Sequence, residues 1–247
     1  MLNRRSFLTA LVSCPICAGA ARAADAPHWE YDGEHGAPHW GDMSPEFKAC
    51  TAGTEQSPID LKNAIPARAD RLAIAWKKET YQVVNNGHTI QLNSAGGSAL
   101  RIGALKYDLK QFHFHTPSEH AFGGSRTAME VHFVHAHETG RLAVVGVLMV
   151  SGRAHKGFSE IMATAPAREG ESRLRQAIDP DAFLPKQRDL YRYEGSLTTP
   201  PCSEVVDWNV LAKTIEVAPA DIAKFKALFP MNARPLQPLN RRYLLRV

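Results

Sequence analysis

Two stretches decide the fold: Leu105-Lys106-Tyr107-Asp108-Leu109-Lys110-Gln111-Phe112-His113-Phe114-His115 and Met129-Glu130-Val131-His132-Phe133-Val134-His135-Ala136-His137. Both are dense in aromatic, β-branched and other apolar residues that alternate with polar ones, the pattern of strands rather than helices. Successive side chains of a strand point to opposite faces. His113 and His115 therefore share one face, and Phe114 takes the other. Sixteen residues separate His115 from His132, enough for the second strand to return beside the first and bring His132 over the same face. Working outward, further strand-like runs lie at Leu72–Trp76, Tyr81–Asn85, Thr89–Asn93, Ala99–Ile102 and Leu142–Val150. Asn86-Gly87, Gly96-Gly97 and Gly123-Gly124 mark turns between them. Apolar residues fall at helical spacing only in Gly157–Ala165 and Pro219–Phe229. Residues 24–58 are rich in Gly, Pro, His and Trp with little periodicity, and are expected to wrap the surface. The chain reads as mainly β with peripheral helices. No internal repeat or low-complexity linker divides residues 24–247, so one domain is expected there.

Histidine is the compositional outlier: six of the eleven fall between His113 and His137. Three neutral imidazoles on one sheet face, with a fourth position open, make a catalytic zinc site. Structural zinc sites are usually closed and rich in thiolate. Gln111 and Glu130 stand two residues before His113 and His132, on the same faces. Each is placed to accept a hydrogen bond from the second ring nitrogen and so fix the tautomer. His135 and His137 have the wrong parity to join His132, and His120 lies in the connection, so hydrogen-bonding or surface roles are expected for all three. His113-x-His115-x3-Glu119 also fits the first metal motif of cupins, but the second motif of that family is not found downstream.

Residues 1–23 read as a cleavable export signal: Arg4-Arg5, a short apolar run, then Ala21-Arg22-Ala23. The run is too short for a permanent membrane anchor. Arg4-Arg5-Ser6-Phe7-Leu8 is similar to a twin-arginine signal. An ordinary Sec signal, or a lipid anchor on Cys14, are the alternatives. An exported, periplasmic location is expected. Beyond residue 23 only Cys50 and Cys202 remain, and in an oxidising compartment they are expected to form a disulfide. The same segment counts 26 basic against 25 acidic side chains, which gives no electrostatic case for nucleic acid.

The sequence resembles the α-class carbonic anhydrases. The zinc region is carried by Gln111–His115, Ser118-Glu119-His120 and Glu130–His135. Gln56-Ser57-Pro58, Asn85-Asn86-Gly87-His88 and Gly195-Ser196-Leu197-Thr198-Thr199-Pro200-Pro201 also match, as do Trp208 and Arg234-Pro235-Leu236-Gln237-Pro238-Leu239. The matches run in the family's order from residue 28 to residue 239. The resemblance implies a twisted, largely antiparallel central sheet with Zn2+ on His113, His115 and His132. It implies reversible hydration of CO2 to bicarbonate and a proton, by attack of zinc-bound hydroxide. The pKa of the bound water falls to about 7, a value taken from the carbonic anhydrases themselves. Thr198 would orient the hydroxide and pass its own proton to Glu119. Val134, Val144, Leu197 and Trp208 would form the apolar wall of the CO2 pocket, and Thr199 its polar side. His88 would carry the proton out, with Asn86 ordering relay waters and Tyr31 nearby. Ser57, His120, Glu130 and Tyr193 would form a supporting network. Some relatives lose the zinc ligands and become binding modules; this chain keeps all three. The sequence leaves the oligomeric state open, and a homodimer is compatible with it.

Overall fold

The computed structural model describes residues 27–247. The export signal read over residues 1–23, with Arg4, Arg5 and Cys14, lies outside the described residues. In chain order the strands are β1 (Ile65–Pro66), β2 (Leu72–Ala75), β3 (Gln82–Asn85), β4 (Ile90–Asn93), β5 (Ala99–Ile102), β6 (Leu105–His115) and β7 (Ala121–Phe122). They continue with β8 (Ser125–Arg126), β9 (Met129–Ala136), β10 (Leu142–Ser151), β11 (Gly170–Arg173), β12 (Leu190–Gly195), β13 (Val206–Val217) and β14 (Leu245–Arg246). The helices are α1 (Trp40–Met43), α2 (Ala49–Ala52), α3 (Lys156–Thr164) and α4 (Pro219–Leu228). None of the helices among the described residues is long and apolar enough to cross a membrane.

Twelve strands form one sheet, whose central order is β12-β13-β10-β9-β6-β4-β3. Most neighbours are antiparallel; β10 with β13 and β1 with β14 are parallel. One face of the sheet buries the main core. Val131 and Phe133 of β9, Ala143, Val145 and Val147 of β10, and Phe112 and Phe114 of β6 meet there, and α3 and α4 contribute Phe158, Ile161 and Phe225. The opposite face carries the histidines and a second apolar cluster that includes Val134, Val144, Leu197 and Trp208.

Strict alternation does not hold along β6. Tyr107 and Leu109 face the same core as Phe112 and Phe114, although their parities differ. The register against β9 slips between Leu109 and Gln111, so Lys110 is an extra residue that reverses the facing. The bulge also divides the strand between partners: residues 105–108 pair with β5, and residues 111–113 pair with β4. Without it, the two histidines would lie on the side of Tyr107 and Leu109.

The structure departs from the sequence reading in further places: the short strands β1, β7, β8, β11 and β14 were not read, nor were two longer ones, and one segment was misplaced. β12 was not read as a strand, and β13 was not visible because Asp207 and Asn209 interrupt its apolar run. Both are buried and partnered: Asp207 accepts from Arg192 Nε and Nη2 at 2.9 and 2.6 Å, and from Asn209 Nδ2 at 3.2 Å. The segment expected to wrap the surface instead builds a small core of its own. Trp40 and Phe47 pack with Cys50 and Cys202. Those cysteines form a disulfide with a Cα–Cα distance of 5.0 Å.

Candidate metal centre

The register aligns the site. His113 of β6 stands opposite His132 of β9, which stands opposite Gly146 of β10. A Cβ on Gly146 would sit 3.0 Å from Glu130 Oε1, so the missing side chain makes room for that carboxylate. One row along, Gln111, Val134, Val144 and Trp208 align across four strands. The three histidines each offer one nitrogen, and these atoms lie within 4.8 Å of one another; all three side chains are buried.

The second ring nitrogens decide which atoms face inward. His113 Nδ1 donates to Gln111 Oε1 at 2.8 Å, leaving Nε2. His115 Nδ1 donates to the Asn232 carbonyl at 2.7 Å, again leaving Nε2. His132 Nε2 lies 2.9 Å from Glu130 Oε1, near enough for a charge interaction although the N–H does not line up with it, and Nδ1 is left. Burial pushes His113 well below the usual imidazole range, helped by His115 and His132 beside it. Burial also lowers His115. Imidazoles held neutral and close together are what a divalent cation requires. His115 Nε2 is fully buried with no hydrogen-bond partner, as is Glu119 Oε2, which lies 3.6 Å from it. Buried polar atoms without partners call for an explanation. A cation held by three nitrogen donors would account for His115 Nε2, and an all-imidazole set suits zinc.

Behind His132 runs a buried polar network. Glu130 Oε1 accepts from His120 Nδ1 at 2.8 Å, and Glu130 Oε2 accepts from the backbone N–H groups of Glu119 and His120. Burial alone would raise the Glu130 pKa, but His120 and His132 outweigh it and hold it well below the carboxylate range. His120 Nε2 lies 2.7 Å from the Tyr193 hydroxyl, which donates to Ser57 Oγ at 3.0 Å. Ser57 Oγ also accepts from the N–H of Ser196, and the Ser196 carbonyl accepts from Trp208 Nε1. The network therefore reaches the loop that carries Leu197, Thr198 and Thr199, all buried. Cys202 N–H donates to the Thr199 carbonyl, so the disulfide is fastened to the same loop.

Glu119 Oε1 accepts from Arg234 N–H at 2.9 Å. No hydrogen bond joins Thr198 to Glu119, whose Oε2 has no donor. His88 is half-buried on the turn between β3 and β4 and stacks on Trp29, with ring centroids 3.8 Å apart. Burial lowers its pKa, and His28 adds to this. Asn86 Oδ1 accepts from the N–H groups of His88 and Thr89, and Gly87 takes φ +84°, so Asn86 shapes the turn. Tyr31 packs edge-on against Trp29 and Trp40. His135 lies on the opposite face of β9, accepting from Trp76 Nε1 at 2.9 Å. His137 is at the exposed end beyond β9 and hydrogen-bonds Thr139.

Two residues of this architecture escaped the sequence reading. Asn232 and Arg234 are buried in the loop just beyond α4, outside the periodic segment. Arg234 donates to the carbonyls of Cys50 and Ser57 and to Gln56 Oε1. The signal available was the Arg234-Pro235 match, which carried no assigned role. Two surface clefts, of about 790 and 820 Å³, are lined by residues such as Arg242 and Arg188 and include none of the three histidines.

Comparison with known proteins places this geometry. The family model for eukaryotic-type carbonic anhydrase matches residues 35–247. The chain belongs to the carbonic anhydrase family. It is 41% identical to a carbonic anhydrase of Nostoc sp., over 99% of this chain and 97% of that one. It is 38% identical to the carbonic anhydrase of Neisseria gonorrhoeae, over 95% and 94% of the two chains. Among solved structures, the α-carbonic anhydrase of Thermovibrio ammonificans in complex with sulfanilamide superposes with a TM-score of 0.87 at 40% identity. That match covers 89% of this chain and 99% of that one. A dioscorin complexed with ascorbate shares the fold at 31% identity and a TM-score of 0.83, covering 89% of this chain and 98% of that one. Family membership thus does not by itself assign one ligand.

Proposed function

We propose that this chain is a carbonic anhydrase that interconverts CO2 and bicarbonate, with one zinc ion held by His113 Nε2, His115 Nε2 and His132 Nδ1. The observation that carries the reading is the convergence of three buried histidines whose outer nitrogens face Gln111, Asn232 and Glu130. When bound, zinc supplies the Lewis acidity that makes water a nucleophile at neutral pH.

The chain's own residues supply the rest. Val134, Val144, Leu197 and Trp208 form one apolar cluster on the histidine face, suited to an apolar linear substrate. Thr198 and Thr199 follow Leu197 on the same loop, both buried, and Thr199 Oγ1 has no hydrogen-bond partner. Glu119 Oε2, buried and without a donor, is the acceptor assigned to the Thr198 hydroxyl proton, which leaves Thr198 to accept from the attacking oxygen. Hydration releases a proton, and His88 on its half-buried turn is assigned to carry it outward. The N-terminal residues add the proposal that the enzyme is exported to the periplasm.

Stopped-flow CO2 hydration on the purified protein tests this, with His88→Ala as the diagnostic variant. The wild type is expected to hydrate CO2. In the variant kcat, which includes proton export, should fall on the order of 10²-fold, more than kcat/KM, and added imidazole should restore it. A wild type without hydration activity contradicts the function. Equal loss of both parameters without imidazole rescue contradicts the assignment of His88.

A further inference from the structure

Asn232 is buried to 1% exposure, and every polar group it owns is engaged. Its backbone holds His115: the carbonyl accepts from Nδ1 of that ring. Its backbone N–H donates to the Thr116 carbonyl at 3.0 Å, and its Oδ1 accepts from the Thr116 N–H at 2.7 Å. Those contacts serve the end of β6 alone. The side-chain nitrogen does something different. Asn232 Nδ2 donates to two carbonyls from separate elements, Phe114 of β6 at 2.9 Å and His88 of the β3–β4 turn at 3.0 Å.

The His88 turn is also held from within, from β6 and by Trp29, on which the His88 ring stacks. Asn86 Oδ1 closes it, and Thr89 Oγ1 donates to the Phe114 carbonyl at 2.6 Å. Trp29 touches the His88 ring, whereas Asn232 hydrogen-bonds both backbones from outside, joining the backbone beside two proposed ligands to the backbone that carries His88. A planar amide with two donors in fixed directions sets a distance as well as providing attraction. Proton relays are sensitive to such distances, and a misplacement of about 1 Å can cost on the order of 10²-fold in rate.

We infer that the Asn232 side chain is a positioning residue for proton export, fixing His88 at its working distance from the histidine cluster. The inference rests on the proposed role of His88. It predicts a defect different from that of a ligand's supporting residue, because the contact to His115 comes from the backbone and survives substitution.

Asn232→Asp tests it, since aspartate keeps the size and the acceptor for Thr116, cannot donate when ionised, and when protonated can donate to only one of His88 and Phe114. Expected are one zinc per chain, kcat lowered about tenfold, a clearly smaller fall in kcat/KM, and recovery with imidazole. In a His88→Ala background the same substitution should lower kcat no further, because the group it positions is gone. Asn232→Ser, which retains one donor, carries the same expectation in weaker form and serves if the aspartate variant does not fold. Equal loss of kcat and kcat/KM, or an undiminished effect without His88, would overturn the inference and assign Asn232 to the metal site alone. Failure of both variants to fold with zinc would overturn it too, assigning the residue to the fold. A His88→Ala protein with normal kcat would show instead that the role of His88 itself is wrong.

Discussion

The site has two halves built by different rules. His113, His115 and His132, with Gln111 and Glu130, stand on β6 and β9, where backbone pairing and strand parity fix their places. Glu119, Leu197, Thr198, Thr199, Asn232 and Arg234 stand on loops, where long-range hydrogen bonds and a disulfide do that work. The strand half takes the places of its histidines from the ladder, although the ring of His115 is also held by the Asn232 carbonyl. The loop half depends on contacts between residues more than a hundred positions apart, such as Asn232 with His115 and Cys50 with Cys202. The two halves should therefore fail differently.

The largest effect is expected in the strand half. His132→Ala removes one of three nitrogen donors, so zinc and CO2 hydration should be lost together, as read by metal analysis and stopped flow. Stoichiometric zinc with normal turnover would reject the ligand set.

Breaking the loop half should cost stability first. Replacing Cys50 and Cys202 by serine opens a bridge across 152 positions, worth about 5 kcal/mol in the chain-entropy account. Denaturant unfolding reads this loss. Because Cys202 fastens the Thr199 carbonyl, turnover should fall several-fold while zinc content holds, which separates the halves directly. A variant that loses its zinc as readily as its turnover would show that the halves are not separate.

A smaller effect concerns the far face of β9. Burial lowers His135 from 6.5 to about 4. The unfolded chain therefore takes up a proton at a higher pH than the folded one, so stability is lost as pH falls from 6.5 to about 4. The loss amounts to about 3 kcal/mol for this residue. His135→Gln should lose correspondingly less stability between pH 7 and pH 4, as measured by unfolding at both. Identical losses in the two proteins would show that His135 does not carry this dependence.

The same contrast explains what was legible in the sequence. The bounds of β5 and β6, and the parity that separates His132 from His135, could be read because period two is a local property. The bulge at Lys110 was equally local: Tyr107 and Leu109 against Phe112 and Phe114 show the change of apolar parity, and strict alternation missed it. β13 was hidden by Asp207 and Asn209, whose burial makes sense only with Arg192 beside them. Trp40 looked like part of a surface wrap because its core is completed by Cys202, far along the chain. The residues around the metal centre that come from loops were named through family resemblance, and Asn232, outside the matched motifs, was not named at all.

The central claim is that the three strand histidines hold one zinc ion on which CO2 hydration depends. The direct measurement is to follow zinc content and stopped-flow CO2 hydration on one sample as a chelator is titrated in and zinc is returned. Expected are one zinc per chain at the start, activity falling in proportion to zinc, and recovery of both. Hydration that persists in zinc-free protein, or protein that never binds zinc, would contradict it.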